Sequence, residues 1–436
     1  VAAEAGYKVI IGEQIELRSK LRFLPCGIIL EKGATNHQLV EILQSRKAGN
    51  RVVTWCEEGL VYRNRDAYLR DRVSLEAMDL IDSFFAWGSV QAEDVLSKAT
   101  GAAGKLILTG NPRFDLLRPE LRGLFQKQVT KLREAYGSYI LVATNFGRVN
   151  HFRGPAYVST LLQARGAQTT PEISDFTRGW SEFLGSVYRA FLDMVPQLAR
   201  AFPDLTIVVR PHPSENRESW SQAMTNFPNV RVIHQGTIVP WSLAATAVIH
   251  NSCTTGIESY LLDVPVIAYR PVTSETYDSK LPNAVSHPAS TTEELVAAIT
   301  AIRNGGVVPG FSREEDERRR AIAQRYITGF DGPWASDRIV KALNGVPVSP
   351  SEDRISATKR IFMEATDAIL ALRAAVARLR GRLVVGTAYR RHKFPGLELS
   401  EVQRTLEDFR EVLERFQRVN AKPIPGLKNG FLITSE

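Results

Sequence analysis

The strongest constraint on this chain is a rhythm of short apolar runs alternating with helical stretches, which occurs twice. In the first half the runs are Tyr7–Gly12, Gly27–Leu30, Val52–Trp55, Ser83–Trp87 and Leu106–Thr109, with helical segments such as Asn36–Ala48 between them. In the second half they are Tyr139–Thr144, Thr206–Arg210, Val230–His234, Ala247–His250 and Val266–Tyr269. Strands that are apolar on both faces and separated by helices predict a parallel sheet covered on each side. The expected fold class is therefore α/β, with two doubly wound Rossmann-like domains facing a cleft. In such sheets ligands bind beyond the carboxyl ends of the strands.

The expected domains are residues 1–125, residues 126–345, and a helical extension over 346–436. Residues 118–137 read as a charged helical link, and Ser181–Phe202 as a long amphipathic helix. Residues 146–177 have little regular pattern and fit a lid, a segment that binds a second ligand, or a surface insertion. In the tail, Phe362, Ala365, Ile369, Leu372, Val376, Leu379 and Leu383 follow a 3-4 spacing, as do Val402, Leu406, Phe409, Leu413 and Phe416. These narrow seams predict a C-terminal helical hairpin packed on the body or on a second copy.

Composition narrows the class. Apolar residues make up 44% and charged residues 23% of the 436, which excludes a chain that is mainly disordered. The only cysteines, Cys26, Cys56 and Cys253, are too few and too scattered for a disulfide framework or a zinc pattern, and suit a reducing compartment. No apolar run reaches the ~18 residues of a membrane span. The net charge is +8, and residues 351–436 carry 16 basic against 11 acidic side chains. Arg373, Arg378, Arg380, Arg382, Arg390, Arg391 and Lys393 leave contact with anionic lipid open. No nucleic-acid motif is present, so nucleic acid is not an expected partner. The expected location is cytoplasmic, with peripheral contact at the inner face of the membrane as the alternative.

Four strand ends carry chemistry. Arg210-Pro211-His212-Pro213 follows an apolar run directly, and the two prolines stiffen the turn that holds His212. A rigidly mounted histidine suits donation to a phosphate, with Arg210 adding fixed charge; capping of the next helix is the plainer alternative. Asn251-Ser252-Cys253-Thr254-Thr255 leads into a helix that carries Glu258. Hydroxyls and free N–H groups at a helix start favour an anion, and simple capping by Ser252 or Thr254 is the structural alternative. Glu258 fits a ribose contact or a favourable acid near the helix start. Glu57-Glu58-Gly59 pairs two acids, and burial would push one toward general-base chemistry. Asn145, in the turn Thr144–Gly147, is expected to line the ligand loop. At Gly110–Asp115, Arg113 and Asp115 fit an ion pair that fixes the interdomain link. No acidic DxD pair, GxGxxG, Walker loop or GxSxG elbow occurs, so no metal site is expected.

Together, Glu57-Glu58-Gly59, His212-Pro213 and Ser252/Thr254/Thr255 resemble the acidic, HP and S/T motifs of bacterial sialyltransferases and polysialyltransferases, and of capsule Kdo transferases. The runs GIIL-EKG at 27–33, WCEEGL at 55–60, GNPRFDLLRPEL at 110–121 and NSCTTGIESYLLDVPVIAYRP at 251–271 resemble the surface carbohydrate biosynthesis protein family. The resemblance covers about residues 1–345. It implies a GT-B-like glycosyltransferase that uses a CMP-activated acidic sugar, Kdo or another nonulosonic acid. The CMP-sugar is the donor substrate, no other cofactor is implied, and the acceptor is a surface polysaccharide or lipid-linked glycan. By the same resemblance Glu57 or Glu58 is the catalytic acid or base, and His212 contacts the donor phosphate. Pro213 mounts His212, while Arg210, Asn145, Asn251, Ser252, Thr254, Thr255 and Glu258 contribute to donor binding. Other readings are a CDP-glycerol-type polyol-phosphate transferase, an NDP-sugar 2-epimerase and a non-catalytic scaffold of polysaccharide assembly. A homo-oligomer is compatible with each.

Overall fold

The computed structural model describes residues 1–154, 157, 171–305, 312–348, 396–435 and scattered positions from 358 to 376. The chain separates into two compact units. The first comprises Val1–Gly59, Leu69–Asp115 and Asp331–Glu436, and the second Leu60–Tyr68 and Leu116–Phe330.

The first unit begins with β1 (Val9–Ile11), followed by β2 (Ile28–Glu31), β3 (Arg51–Trp55), β4 (Ser83–Ala86) and β5 (Leu106–Leu108). Strands β2 to β5 form a parallel sheet in chain order. All four residues of β4 are buried, as its unbroken SFFA run requires. Val53 and Phe85 pack against Ile339 and Val346, so the chain returns to this sheet after the whole second unit. Asp115 anchors that return. Its carboxylate accepts from the backbone N of Ala335 (2.8 Å) and Ser336 (2.9 Å) and from Ser336 Oγ (2.8 Å), capping the Ala335–Leu343 helix.

The second unit holds β6 (Tyr139–Ala143), β7 (Thr206–Arg210), β8 (Val230–Val232), β9 (Ala247–His250), β10 (Val266–Tyr269) and β11 (His287–Ala289). They form one parallel sheet in the order β11-β10-β9-β6-β7-β8. Both faces are covered. On one, Phe191, Met194, Val195 and Leu198 of the Pro171–Ala201 helix pack on Ile140, Val142, Ile207 and Val209. On the other, Val129 and Trp241 pack on Tyr139, Leu141 and Val248. This is a doubly wound sheet. The strand order reverses at β6, so the switch point lies between β6 and β9. Both parallel-sheet units are Rossmann-like, the α/β class implied by the resemblance to GT-B enzymes.

Three sequence expectations are corrected. The run at Tyr7–Gly12 does not join the first parallel sheet. Its residues Val9–Ile11 pair antiparallel with β13 (Phe431–Ser435), which pairs in turn with β12 (Val419–Pro423). Local apolarity marks a strand but does not name its partner. The tail is also not helical throughout. The seam at Val402, Leu406, Phe409 and Leu413 belongs to the Leu399–Leu413 helix, which covers this small sheet through Val402, Leu406, Ala421, Phe431 and Ile433. Strands β12 and β13 then replace the expected helical continuation. Finally, the helix expected at Ser181–Phe202 begins ten residues earlier, at Pro171, inside the segment expected to be irregular. Most of the rest of that segment, together with Leu379, Leu383 and the arginine cluster at 373–393, lies outside the described residues.

Candidate functional site

The loop after β6 and the turn after β7 are tied together by Glu215, a residue the motif reading passed over. Its Oε1 accepts from Thr144 Oγ1 (2.8 Å), Phe146 N (3.0 Å) and His212 N (2.9 Å), and its Oε2 from Trp220 Nε1 (3.0 Å). Burial pushes this carboxyl above its usual range, and the four donors pull against that shift. Four donors converging on one buried carboxylate hold the His-Pro turn far more firmly than the prolines alone. Gly147 completes the fit, because a Cβ there would lie 2.0 Å from Ser214 Oγ.

His212 and Pro213 are exposed on this turn. His212 Nδ1 accepts from Ser214 N at 3.2 Å and sits 2.7 Å from Ser214 Oγ. In the neutral ring this puts the proton on Nε2, the atom suited to donate to an oxyanion. Arg210 is engaged within the fold. Its guanidinium donates to the carbonyls of Gln235 (2.7 Å) and Gly236 (2.5 Å) and lies 5.4 Å from the Trp241 ring centroid. Burial lowers it to about 10.

The turn after β9 is built around His250, which is completely buried. Nδ1 accepts from Cys253 N at 3.4 Å, Nε2 lies 2.8 Å from Ser286 Oγ, and that hydroxyl donates to Pro282 O at 2.7 Å. Desolvation lowers His250 to about 3, so it is neutral. Ser252 has φ 56°, a left-handed conformation. Its hydroxyl donates to Asn283 Oδ1 at 3.0 Å, with Asp278 Oδ1 at 3.4 Å. The Thr254–Leu261 helix is capped at Cys253 without a side-chain hydrogen bond, so the structural alternative of capping by Ser252 or Thr254 is not what is found. Thr254 is exposed, Thr255 half-buried and Glu258 buried. Asn251 is 7% exposed, and neither its Oδ1 nor its Nδ2 has a hydrogen-bond partner. A buried amide left open on both sides is costly unless something else fills it. Asn145, half-buried, follows β6 on the other side of the switch point.

Asn251 and Ser252 line a recess with Arg63, Arg270, Tyr277 and Asp278. Arg270 donates to Asp278 Oδ2 at 2.7 Å. Arg63 comes from the short excursion Leu60–Tyr68, which belongs to this unit, and its guanidinium lies 4.3 Å from the Trp180 ring centroid. Arg148, in the loop after β6, lies 4.3 Å from the same centroid. None of Arg63, Arg148 and Trp180 stood out in the sequence, and Arg270 was read only as part of the 251–271 run. They come from separate segments and carry no shared spacing.

Glu57 and Glu58 belong to the first unit, at the carboxyl end of β3. Their turn is tightly made. Trp87 Nε1 donates to Cys56 O at 2.6 Å, and a Cβ on Gly59 would fall 1.9 Å from Gln91 Nε2. The burial expected of the pair is not found. Glu57 is 53% and Glu58 68% exposed, with Lys32 Nζ 4.0 Å from Glu57 and Arg72 paired with Glu58. Among the described residues, no three or more His, Cys, Asp or Glu side chains gather as a metal site.

No protein-family profile matches the chain, and no curated protein matches it. Solved structures are similar at low identity. A UDP-GlcNAc 2-epimerase from Neisseria meningitidis, bound to UDP-GlcNAc, is 18% identical over 73% of this chain and 76% of its own, with a TM-score of 0.45. A UDP-GlcNAc 2-epimerase from Methanocaldococcus jannaschii is 14% identical over 73% and 77%, with a TM-score of 0.40. A wall teichoic acid polymerase is 11% identical over 73% and 72%, also with a TM-score of 0.40. All three scores fall below 0.5, and the fold assignment rests on the sheet topology itself.

Proposed function

We propose that this chain is a glycosyltransferase that moves an acidic sugar, Kdo or another nonulosonic acid, from a CMP-sugar to a hydroxyl of a surface polysaccharide or lipid-linked glycan. The observation that carries this reading is the pairing, at the strand ends of one doubly wound sheet, of a rigidly mounted His212 with the open amide of Asn251. Such a site is suited to an anionic, hydroxylated ligand.

In this reading the donor is held within residues 126–345, by the strand ends of the second unit, and the acceptor within residues 1–125, by the first. His212 donates from Nε2 to the donor phosphate. Asn145 and the 251–255 turn hold the nucleotide end. Pro213 stiffens the turn, and Glu258 supports the turn from the first helical residues. Arg210 acts through the turn, since its guanidinium is bound to carbonyls. Glu57 or Glu58 takes the proton of the acceptor hydroxyl. The acceptor oxygen forms a bond to the anomeric carbon, the bond from that carbon to the phosphate oxygen breaks, and the electron pair leaves with CMP. The phosphate gains a negative charge as it departs, which is where a hydrogen-bond donor lowers the barrier. No metal enters the scheme. The basic tail is proposed to meet the inner face of the cytoplasmic membrane at its surface. Among the described residues, no helix is long and apolar enough to cross a membrane.

Thermal-shift measurements with CMP, UDP and GDP, followed by donor-consumption assays with CMP-activated acidic sugars, test this. Stabilisation by CMP and release of CMP in the presence of acceptor are expected. UDP-sugar interconversion without acceptor would replace the reading with an epimerase, CDP-glycerol turnover with a polyol-phosphate transferase, and no response to any nucleotide with a scaffold.

A further inference from the structure

We infer that the exposed apolar face of the helix through residues 361–376 is a membrane-docking face, which lies along an anionic bilayer with its side chains at the boundary between headgroups and acyl chains. This deepens the surface contact proposed for the basic tail and rests on that part of the reading, not on the identity of the donor.

The described positions between 358 and 376 are helical. One side of this helix is held by the first unit. Met363 is completely buried against Leu24, Ile424 and Leu427, and the Phe362 ring stacks on that of Phe23 with centroids 6.2 Å apart. The other side is open. From 361 to 376 every exposed described position is apolar: Ile361, Phe362, Ile369, Leu372 and Val376, with Ala365 and Ala368 between them. Ile361, Phe362, Ile369 and Leu372 are each more than half exposed. At about 100° per residue these seven positions fall within an arc of about 120°, and Met363 lies on the opposite side. A stripe of that width on a soluble helix is normally covered, and a contiguous apolar face left open marks a place where something docks.

Charge selects the occupant. Residues 358–393 contain nine Lys and Arg against two acids, Glu364 and Asp367, so this stretch carries +7 of a net charge of +8. Arg22, exposed and 4.6 Å from the Phe23 ring centroid, adds a cation beside the Phe362 end of the face. Two copies of the helix meeting face to face would bring two such basic stretches together, and their repulsion opposes the pairing. An anionic bilayer attracts the same charge and accepts the apolar side chains in the same place. Insertion and electrostatic attraction together give the two signals that stable peripheral attachment needs. Among the described residues no helix is long and apolar enough to cross a bilayer, so this one is assigned to the surface.

The test is cosedimentation of the full chain with vesicles of phosphatidylcholine alone and of phosphatidylcholine mixed with phosphatidylglycerol. The wild type is expected to bind the mixed vesicles, and phosphatidylcholine alone more weakly by about tenfold or more. The double variant Ile369→Ser with Leu372→Ser removes two exposed apolar side chains without changing the charge. It is expected to keep the circular dichroism of the wild type and to bind the mixed vesicles more weakly by about tenfold or more. Failure of the wild type to bind the mixed vesicles would overturn the inference. Equal binding of the double variant would overturn it too, leaving charge alone as the attachment. Sedimentation velocity without vesicles is run on both proteins, and a wild-type dimer that the double variant loses would give the face to a second copy instead. CMP binding is followed in parallel by thermal shift. If the mixed vesicles bind and CMP does not, the transferase reading fails and the docking face stands. If CMP binds and the vesicles do not, the docking face fails and the transferase reading stands.

Discussion

The buried His250 predicts that the second unit weakens in mild acid by an amount the structure sets. The ring is neutral, with Nδ1 accepting from Cys253 N and Nε2 directed at Ser286 Oγ, and its folded value is lowered to about 3. Unfolded, it titrates near 6.5. Between these values the unfolded chain binds the extra proton, so stability falls as pH falls below about 6.5. At pH 5 the difference covers about 1.5 units at 1.36 kcal/mol each, or about 2 kcal/mol. The figure holds for any folded value below about 4, because the native ring stays neutral at pH 5. His250→Gln keeps an acceptor and a donor and removes the titration. Urea unfolding at pH 7 and pH 5 should therefore show the wild type losing about 2 kcal/mol more than the variant. Equal losses would refute the reasoning, since a shared slope cannot come from this imidazole.

Glu215→Gln should cost about 2–3 kcal/mol, because it removes a charge that four donors share and turns an N–H group toward the Trp220 indole N–H or its neighbours. That corresponds to a melting shift of roughly 4–12 °C, and an unchanged melting temperature would remove Glu215 as the anchor of the turn. His212→Ala should abolish sugar transfer with little change in melting temperature, since its side chain is exposed; normal turnover would end its phosphate role. Glu57→Gln or Glu58→Gln should slow transfer by roughly 10²–10⁴-fold with CMP binding retained. Full activity in both variants would remove the base from this turn. Gly59→Ala should destabilise the first unit, because its Cβ would collide with Gln91; thermal melting checks this, and an unchanged value would mean that Gln91 moves aside freely.

The parallel strands were legible because each is a dense apolar run at its own place in the rhythm. Thr206–Arg210 was predicted to the residue. The misses have physical causes. β11, His287–Ala289, is a three-residue edge strand containing proline, and only its pairing with β10 makes it a strand. β12 has only two buried positions, Val419 and Ala421, too weak an alternation to interrupt the helical seam read across Phe416. The site divides the same way. His212 and Asn251 were visible as chemistry at strand ends. Glu215 was hidden because an acid three residues after His212 looks like an ordinary loop residue until its four donors are assembled from three segments. Arg63, Arg148 and Trp180 meet only through the packing of the long helix, which no local pattern encodes.

The ladder joining residues 9–11 to residues 431–433 has a consequence for the order in which the molecule is made. Every described strand of the second unit has been synthesised by residue 289, whereas the first unit lacks part of its covering until residues 331–348 emerge and its small sheet until residue 435. The lobe begun first at the ribosome is thus the one finished last. Its early segments must wait, partly uncovered, while the later lobe can already close around its own core.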